Sequence, residues 1–367
     1  MKVSEREMLE AYKKVGNNEI LALKQLKKRI EKVEQRKLKQ MNYIINEKGL
    51  KIFQTLRPIE SVGCYVPGGE AAYPSTLLMT TVPAKVAGVP RIVVCSPPTC
   101  QGEINPLILV AASLCGVTEV YRLGGVQAIA ALAYGTASIS PVAKIVGPGN
   151  RFVALAKIIV SKDVAIDLPA GPSEVVILAD KTAEPKFIAL DMISQSEHAS
   201  DNISGLVTTS RDLAIKVVNE VERLILNLDR GEIVRKALSE NGFIFICATL
   251  KEAVDFVNNF APEHLEIVTS KPQDVAQKIG AAGIIFLGKY SPVSAGDYCI
   301  GTNHVLPTTG FGQIYSELSV FDYTKRISLV KCTKERLLKM RPLASTLAKC
   351  EGLPNHAKAI DGRFKDV

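Results

Sequence analysis

The 367-residue chain contains no tryptophan and only 6% aromatic residues, although 47% of it is hydrophobic. Its core must be built from aliphatic side chains, which suits an α/β protein. It also lacks a long apolar run. The longest, Leu107 to Val117, falls short of the roughly 20 residues that cross a bilayer. That excludes a membrane-spanning helix of ordinary length. The opening Met1-Lys-Val-Ser-Glu-Arg-Glu7 has no apolar signal region, so a cytoplasmic protein with no membrane partner is expected. Eight cysteines are present, yet no Cys-x-x-Cys occurs and the closest pair is Cys95 and Cys100. This argues against a zinc knuckle or a redox dithiol and for reduced thiols. Cys299, two residues from Asp297, is the one thiol placed near candidate chemistry.

Charge is unbalanced, with a formal net value of +8. Most of the excess lies between Lys24 and Lys39, where Ile20, Leu23, Ile30 and Val33 recur at helical spacing. An amphipathic helix with a solvated basic face explains it. No aromatic interleaving or nucleic-acid motif accompanies the cations, so no nucleic-acid partner is expected.

The organisation follows from periodicity. Helices are predicted from about Ser4 to Val15 and from Asn18 to Ile45, with strands beginning near Ile52. Ser61–Val66, Arg91–Cys95, Glu119–Arg122 and Lys144–Val146 then alternate with helical stretches. After Asp167-Leu-Pro-Ala-Gly-Pro-Ser173 a second series begins with Glu174–Leu178 and runs to Gly283–Leu287. Alternation of this kind predicts parallel-rich sheets in two tandem α/β domains. The expected division is an N-terminal helical segment 1–56, a first α/β domain 57–172, a second 173–320 and a helical tail 321–367.

Histidine is scarce, at four residues, so each can be weighed for a partner. Asp297 and His304 lie in Ser291–Gly310, where Gly296, Gly301, Gly310, Pro292 and Pro307 break both periodicities. Gln195 and His198 are three apart on a predicted helix, so both project from one face and can share an ion. The helix dipole alone also favours a histidine at that end. Glu263-His264, at a predicted helix-to-strand turn, joins two groups able to move protons near neutral pH. His356 follows a helix break. Gln195, His198, Asp297 and His356 form an N/O set suited to zinc, although their spacing alone does not mark a site. Gly147-Pro-Gly-Asn150 follows a strand and opens a helix, a placement that can receive a pyrophosphate. It lacks the third glycine of the dinucleotide fingerprint. Gly124-Gly-Val-Gln127 and Tyr65-Val-Pro-Gly-Gly69 are placed alike, and each is equally readable as a tight turn.

Taken in order, Tyr65–Gly69, Gly147–Asn150, Pro169-Ala-Gly-Pro-Ser-Glu174, Ser194-Gln-Ser-Glu-His198, Pro262-Glu-His-Leu265, Ser294–Tyr298 and Gly301–Pro307 make the chain similar to the histidinol dehydrogenase family. The resemblance runs from about Arg57 to Lys358. It implies two tandem incomplete Rossmann-like domains plus helical N-terminal and C-terminal segments. It further implies oxidation of L-histidinol through L-histidinaldehyde to L-histidine, with one zinc per subunit and two NAD per turnover. In that pattern Gln195, His198, Asp297 and His356 match metal ligands, and Glu263 and His264 match the acid/base pair. Tyr65, Gln127 and Asn150 match cofactor positions. Ser173, His304 and Glu351 match substrate contacts, together with His264 and the four metal ligands. The resemblance also implies a homodimer in which Glu351 and His356 serve the neighbour's site. The regions before Arg57 and after His356 are shorter than is usual in the family. On residues alone, a zinc hydrolase using Glu263, a dehydrogenase of another small alcohol, and a metal-binding protein without turnover stay open.

Overall fold

The computed structural model describes residues 1–41, 43–68, 72–168 and 171–364. Gly69 of the first glycine turn, and Pro169 and Ala170 of the crossover motif, lie outside the described residues. The chain divides into two units, Met1–Arg36 with Pro58–Tyr323, and Lys37–Arg57 with Thr324–Val367.

The chain opens with α1 (Glu5–Lys14) and α2 (Asn17–Gln40). Ser4 and Glu7 form a reciprocal capping box that satisfies donors at the start of α1. In α2, Leu23, Leu26, Ile30 and Glu34 are buried while Lys24, Lys28 and Lys32 are exposed, so the basic stretch is the solvated face of an amphipathic helix. The expected helix to Ile45 stops at Gln40, and β1 (Ile44–Glu47) and β2 (Leu50–Pro58) follow.

The first α/β series comprises β3 (Ser61–Tyr65), α3 (Pro74–Ala87), β4 (Arg91–Ser96), α4 (Pro106–Leu114), β5 (Glu119–Arg122), α5 (Gly125–Tyr134), β6 (Lys144–Val146), α6 (Arg151–Val160) and β7 (Ala165–Ile166). Its strands form one parallel sheet in the order β5-β4-β3-β6-β7. The second series comprises β8 (Glu174–Ala179), α7 (Pro185–Ser196), β9 (Ile203–Thr208), α8 (Arg211–Ile225), α9 (Gly231–Asn241), β10 (Gly242–Ile246), α10 (Leu250–Phe260), β11 (His264–Val268), α11 (Pro272–Ala276) and β12 (Ile284–Leu287). Its parallel sheet runs β10-β9-β8-β11-β12. Within its own series each sheet therefore has the order third, second, first, fourth, fifth. This is the doubly wound Rossmann order short of its sixth strand, as the fold class anticipates. The cause is visible in β3, β4 and β8, where nearly every side chain is buried. Strands covered on both faces carry unbroken apolar runs.

In such sheets ligands gather beyond the carboxyl ends of the strands, where the order reverses. In the first domain that point lies between β3 and β6. The second domain contributes its opposite edge. Ser173 and Glu174 stand at the amino end of β8, and Glu263 and His264 at the amino end of β11. The carboxyl end of β8 is occupied by its own anion: Asp180 accepts the N–H groups of Thr182 at 2.9 Å and Ser270 at 2.8 Å. Donors that a phosphate would need there are already used.

After β12 come α12 (Val293–Ala295) and a π-helix, Gly296–Ile300. The stretch expected to be loop is thus partly helical, and its wide turn is of a kind often found at functional sites. In the second unit, β13 (Thr324–Cys332) joins the sheet β1-β2-β13 and leads into α13 (Lys334–Cys350) and α14 (Pro354–Asp361). The break between these helices falls at Gly352 and Pro354, where the sequence places it. No helix among the described residues is long and apolar enough to cross a membrane.

Candidate active site

A cleft of about 310 Å³ lies where the two α/β domains meet. Pro67 and Pro148–Asn150 line it from the first domain; Ser173, Gln195, His198, Glu263, His264, Asp297 and His304 line it from the second. Its size is at the lower end of small-molecule clefts, roughly 300 to 1,000 Å³. Eight of the twelve sequence-predicted site residues, Asn150 among them, are thereby gathered around one space.

Glu263 and His264 are held from both sides. The α10 helix ends on Ala261 in the left-handed region (φ 51°), which turns the chain directly into β11. Across the sheet, His264 pairs with Val175 in parallel register. Glu263 Oε2 accepts the Glu174 N–H at 2.7 Å, and His264 Nδ1 lies 3.0 Å from the Glu174 carbonyl. A carbonyl can only accept, so Nδ1 carries a proton in either charge state and Nε2 is the nitrogen that gains or loses the second one. Nε2 is buried and has no hydrogen-bond partner. Burial draws the imidazole pKa down, but the charge and proximity of Glu263, with Asp297 beyond, outweigh it and push it up to about 9.

Gln195 lies in the last turn of α7 and is 3% exposed. His198 does not share that helical face, because α7 ends at Ser196 and Glu197 is its C-cap. The turn beyond the helix, rather than the expected helical spacing, brings it to the cleft. Asn202 fixes this turn to the second domain's first strand. Its amide donates to the Gln195 carbonyl at 2.9 Å, and its oxygen accepts the Ser173 N–H at 3.3 Å.

Asp297, in the π-helix, has its carboxylate 3.6 Å from Nδ1 of His304, an ion-pair contact longer than a hydrogen bond. Burial pushes its pKa up, but His304, then His264 and His198, overcome this and hold it below the ordinary value. His304 is oriented from its other nitrogen by Thr76 Oγ1 at 3.1 Å. Cys299 is exposed and its thiol donates to the Ala295 carbonyl.

The three residues predicted to meet the cofactor are placed differently. The Asn150 side chain caps α6, accepting the N–H groups of Phe152 and Val153 at 3.1 Å. Tyr65 is buried and its hydroxyl accepts the Gly125 N–H at 3.1 Å, which fixes the start of α5. Gln127 is exposed on α5. Gly147 adopts φ 112°, and a Cβ there would lie 2.1 Å from the Tyr65 carbonyl oxygen. Only glycine permits the β6–α6 turn to pass so close to β3. In the second unit, Glu351 caps the end of α13 and His356 lies in the first turn of α14; both are exposed.

Among the described residues there is no group of three or more His, Cys, Asp or Glu side chains able to hold a metal. The cleft instead gathers one amide, one imidazole and one carboxylate, Gln195, His198 and Asp297. As a mixed N/O donor set they fit a zinc-like ion that takes its fourth ligand elsewhere. Glu174, Thr76 and Asn202 were not singled out from sequence. Glu174 ends a motif that carries the resemblance, whereas Thr76 and Asn202 carry no pattern that marks them.

The family model described as histidinol dehydrogenase matches residues 1–364. The chain belongs to the histidinol dehydrogenase family. The similarity thus begins well before Arg57 and includes α1 and α2. A histidinol dehydrogenase of Methanothermobacter thermautotrophicus is 47% identical over 365 residues, covering 100% of this chain and 86% of that protein. One of Rhodopseudomonas palustris is 48% identical over 364 residues, covering 99% and 84%. The crystal structure of histidinol dehydrogenase from Elizabethkingia anophelis superposes with a TM-score of 0.96 at 39% identity, over 100% of this chain and 84% of that one. An acetylating aldehyde dehydrogenase from Geobacillus thermoglucosidasius, at 12% identity and a TM-score of 0.56, shares the fold alone. Membership in the histidinol dehydrogenase family makes the chain an oxidoreductase and gives the cleft its expected substrate, histidinol.

Proposed function

We propose that this chain is a zinc-dependent, NAD-linked dehydrogenase that oxidises L-histidinol to L-histidinaldehyde and then to L-histidine, completing histidine biosynthesis in the cytoplasm. The observation that carries this reading is the buried, unpartnered Nε2 of His264, a residue that lines one cleft together with Gln195, His198 and Asp297.

Loss of hydride from an alcohol requires loss of the hydroxyl proton, and His264 Nε2, in the neutral form of the ring, is the base positioned to accept it. The second oxidation needs water added to the aldehyde. Glu263 takes the proton from that water, so no thiol ester is needed and Cys299 has no step to perform. Ser173, His304 and Glu351 bind the substrate's polar groups beside the metal ligands. Bound zinc would supply orientation and polarisation of the substrate's amine and imidazole nitrogens, and NAD would accept hydride twice. Gln195, His198 and Asp297 would hold the ion, with His356 of a second copy as the remaining ligand and Glu351 entering the same site. The protein would then work as a homodimer with one ion per subunit. Tyr65, Gln127 and Asn150 would serve the nicotinamide cofactor, the first and last by shaping the turns before α5 and α6.

The test is NADH formation with limiting L-histidinol, before and after chelation. Two NADH per histidinol and loss of activity without metal are expected. One NADH, or indifference to the chelator, would overturn the proposal.

A further inference from the structure

Glu174 makes more contacts with the reacting groups than its place outside the sequence-predicted site suggests. It is 2% exposed. Its N–H donates to Glu263 Oε2 at 2.7 Å, while its own Oε2 accepts the Glu263 N–H at 3.3 Å. The two residues thus exchange side-chain-to-backbone hydrogen bonds across neighbouring parallel strands. Its other oxygen, Oε1, accepts the Thr309 N–H at 2.9 Å. Thr309 holds φ 53°, a left-handed conformation that a β-branched residue keeps only when its surroundings impose it. The segment it ends is the one that carries His304. One carboxyl therefore ties the Glu263 main chain to the His304 segment.

We propose that Glu174 is a positioning residue whose carboxyl holds the Glu263 main chain, and through it the Glu263 carboxylate, at one fixed separation from the His304 segment, setting the geometry for oxidation of the aldehyde. This deepens the function proposed above and rests on the role given there to Glu263. Both oxygens are engaged by N–H donors, so neither a neutral amide nor a shorter acid can replace the group. Glutamine would turn an NH2 toward one of the two N–H groups, and aspartate would reach only one of them. Burial first, and then the neighbouring Glu263 charge, push the Glu174 carboxyl up to about 7 against the Thr309 and Glu263 donors, with His264 also opposing. The clamp is therefore strongest where the group is ionised, on the alkaline side of neutrality.

The experiment compares Glu174→Gln and Glu174→Asp with the unmutated holoenzyme, measuring kcat and KM separately for L-histidinol and L-histidinaldehyde across pH, with zinc content and Tm recorded. Misplacement of a reacting group by about 1 Å can cost on the order of a hundredfold. We expect kcat on the aldehyde to fall about tenfold or more, kcat on the alcohol to fall less, and zinc content to stay at the unmutated level. An ionisation near neutrality in the unmutated aldehyde profile should disappear in Glu174→Gln. Equal kcat on both substrates in both variants would overturn the inference. So would a parallel loss of both activities together with zinc or Tm, since that marks a purely structural role. If the unmutated protein forms no second NADH, the reading of Glu263 fails instead, and the two failures are told apart.

Discussion

Lys157 and Asp167 form an ion pair with 3% and 0% of their side chains exposed, and between them they bond both main-chain polar groups of one residue, Gly147. Asp167 Oδ2 accepts the Gly147 N–H at 2.7 Å, and Lys157 Nζ donates to the Gly147 carbonyl at 2.9 Å. The pair thereby clamps the glycine turn between β6 and α6. Removing one partner of a buried pair leaves an uncompensated charge and costs about 3–5 kcal/mol. Lys157→Met should lose stability on that scale in denaturant unfolding. It should also raise KM for NAD severalfold with little change in KM for histidinol. An unchanged KM for NAD would separate this turn from cofactor binding.

The fold was legible because burial on both faces writes itself as apolar runs. Glu174–Leu178 and Arg91–Cys95 needed no tertiary information. β13 was missed because every residue after Thr324 in it is exposed, and its apolar Ile327, Leu329 and Val330 are too few among charged and polar neighbours to mark a buried strand. The site was legible mainly through the resemblance. His198 shows why, since its placement depends on where α7 ends and on the Asn202 bridge, which no periodicity encodes. Asp297 lies in a π-helix, whose wide turn has no sequence signature comparable to helical or strand spacing.

His264 and Glu263 should separate by step. With His264→Asn no imidazole remains to take the hydroxyl proton, so both oxidations should fall by about 10² to 10⁴. Glu263→Gln keeps the size and an acceptor oxygen but loses the base, so aldehyde oxidation should slow by a similar factor and alcohol oxidation far less. Steady-state rates on L-histidinol and L-histidinaldehyde decide the matter. Equal losses on both substrates in both variants would contradict the division of labour.

Asn202→Ala tests the bridge between Ser173 and the end of α7. Asn202 is 2% exposed, and its loss leaves the Gln195 carbonyl and the Ser173 N–H without partners. An unpaired buried group such as the Gln195 carbonyl costs about 1–3 kcal/mol, and the half-buried Ser173 N–H costs less. The variant should melt earlier and, because Gln195 and His198 lose their support, bind zinc about 10- to 100-fold more weakly. Titration with a competing chelator measures the second effect. Unaltered zinc affinity would show that the α7 turn holds its shape without Asn202.

Glu266 and Asp191 supply a pH test. Glu266 is 2% exposed on β11, and its Oε1 accepts the Val293 N–H at 2.8 Å, at the start of the turn that leads to Asp297. Burial and the neighbouring Asp191 push its carboxyl well above the ordinary value, and burial pushes Asp191 up to about 6. A carboxyl whose folded pKa is raised stabilises the fold while protonated. That contribution is complete below the unfolded value of about 4 and is lost as pH rises through the folded one. Glu266→Gln keeps an oxygen for the Val293 N–H and removes the charge. Its Tm should exceed that of the unmutated protein by a few degrees at about pH 8, with the gap closing as pH falls toward about 5. Parallel Tm curves for the two proteins across that range would mean that ionisation of this pair does not limit stability.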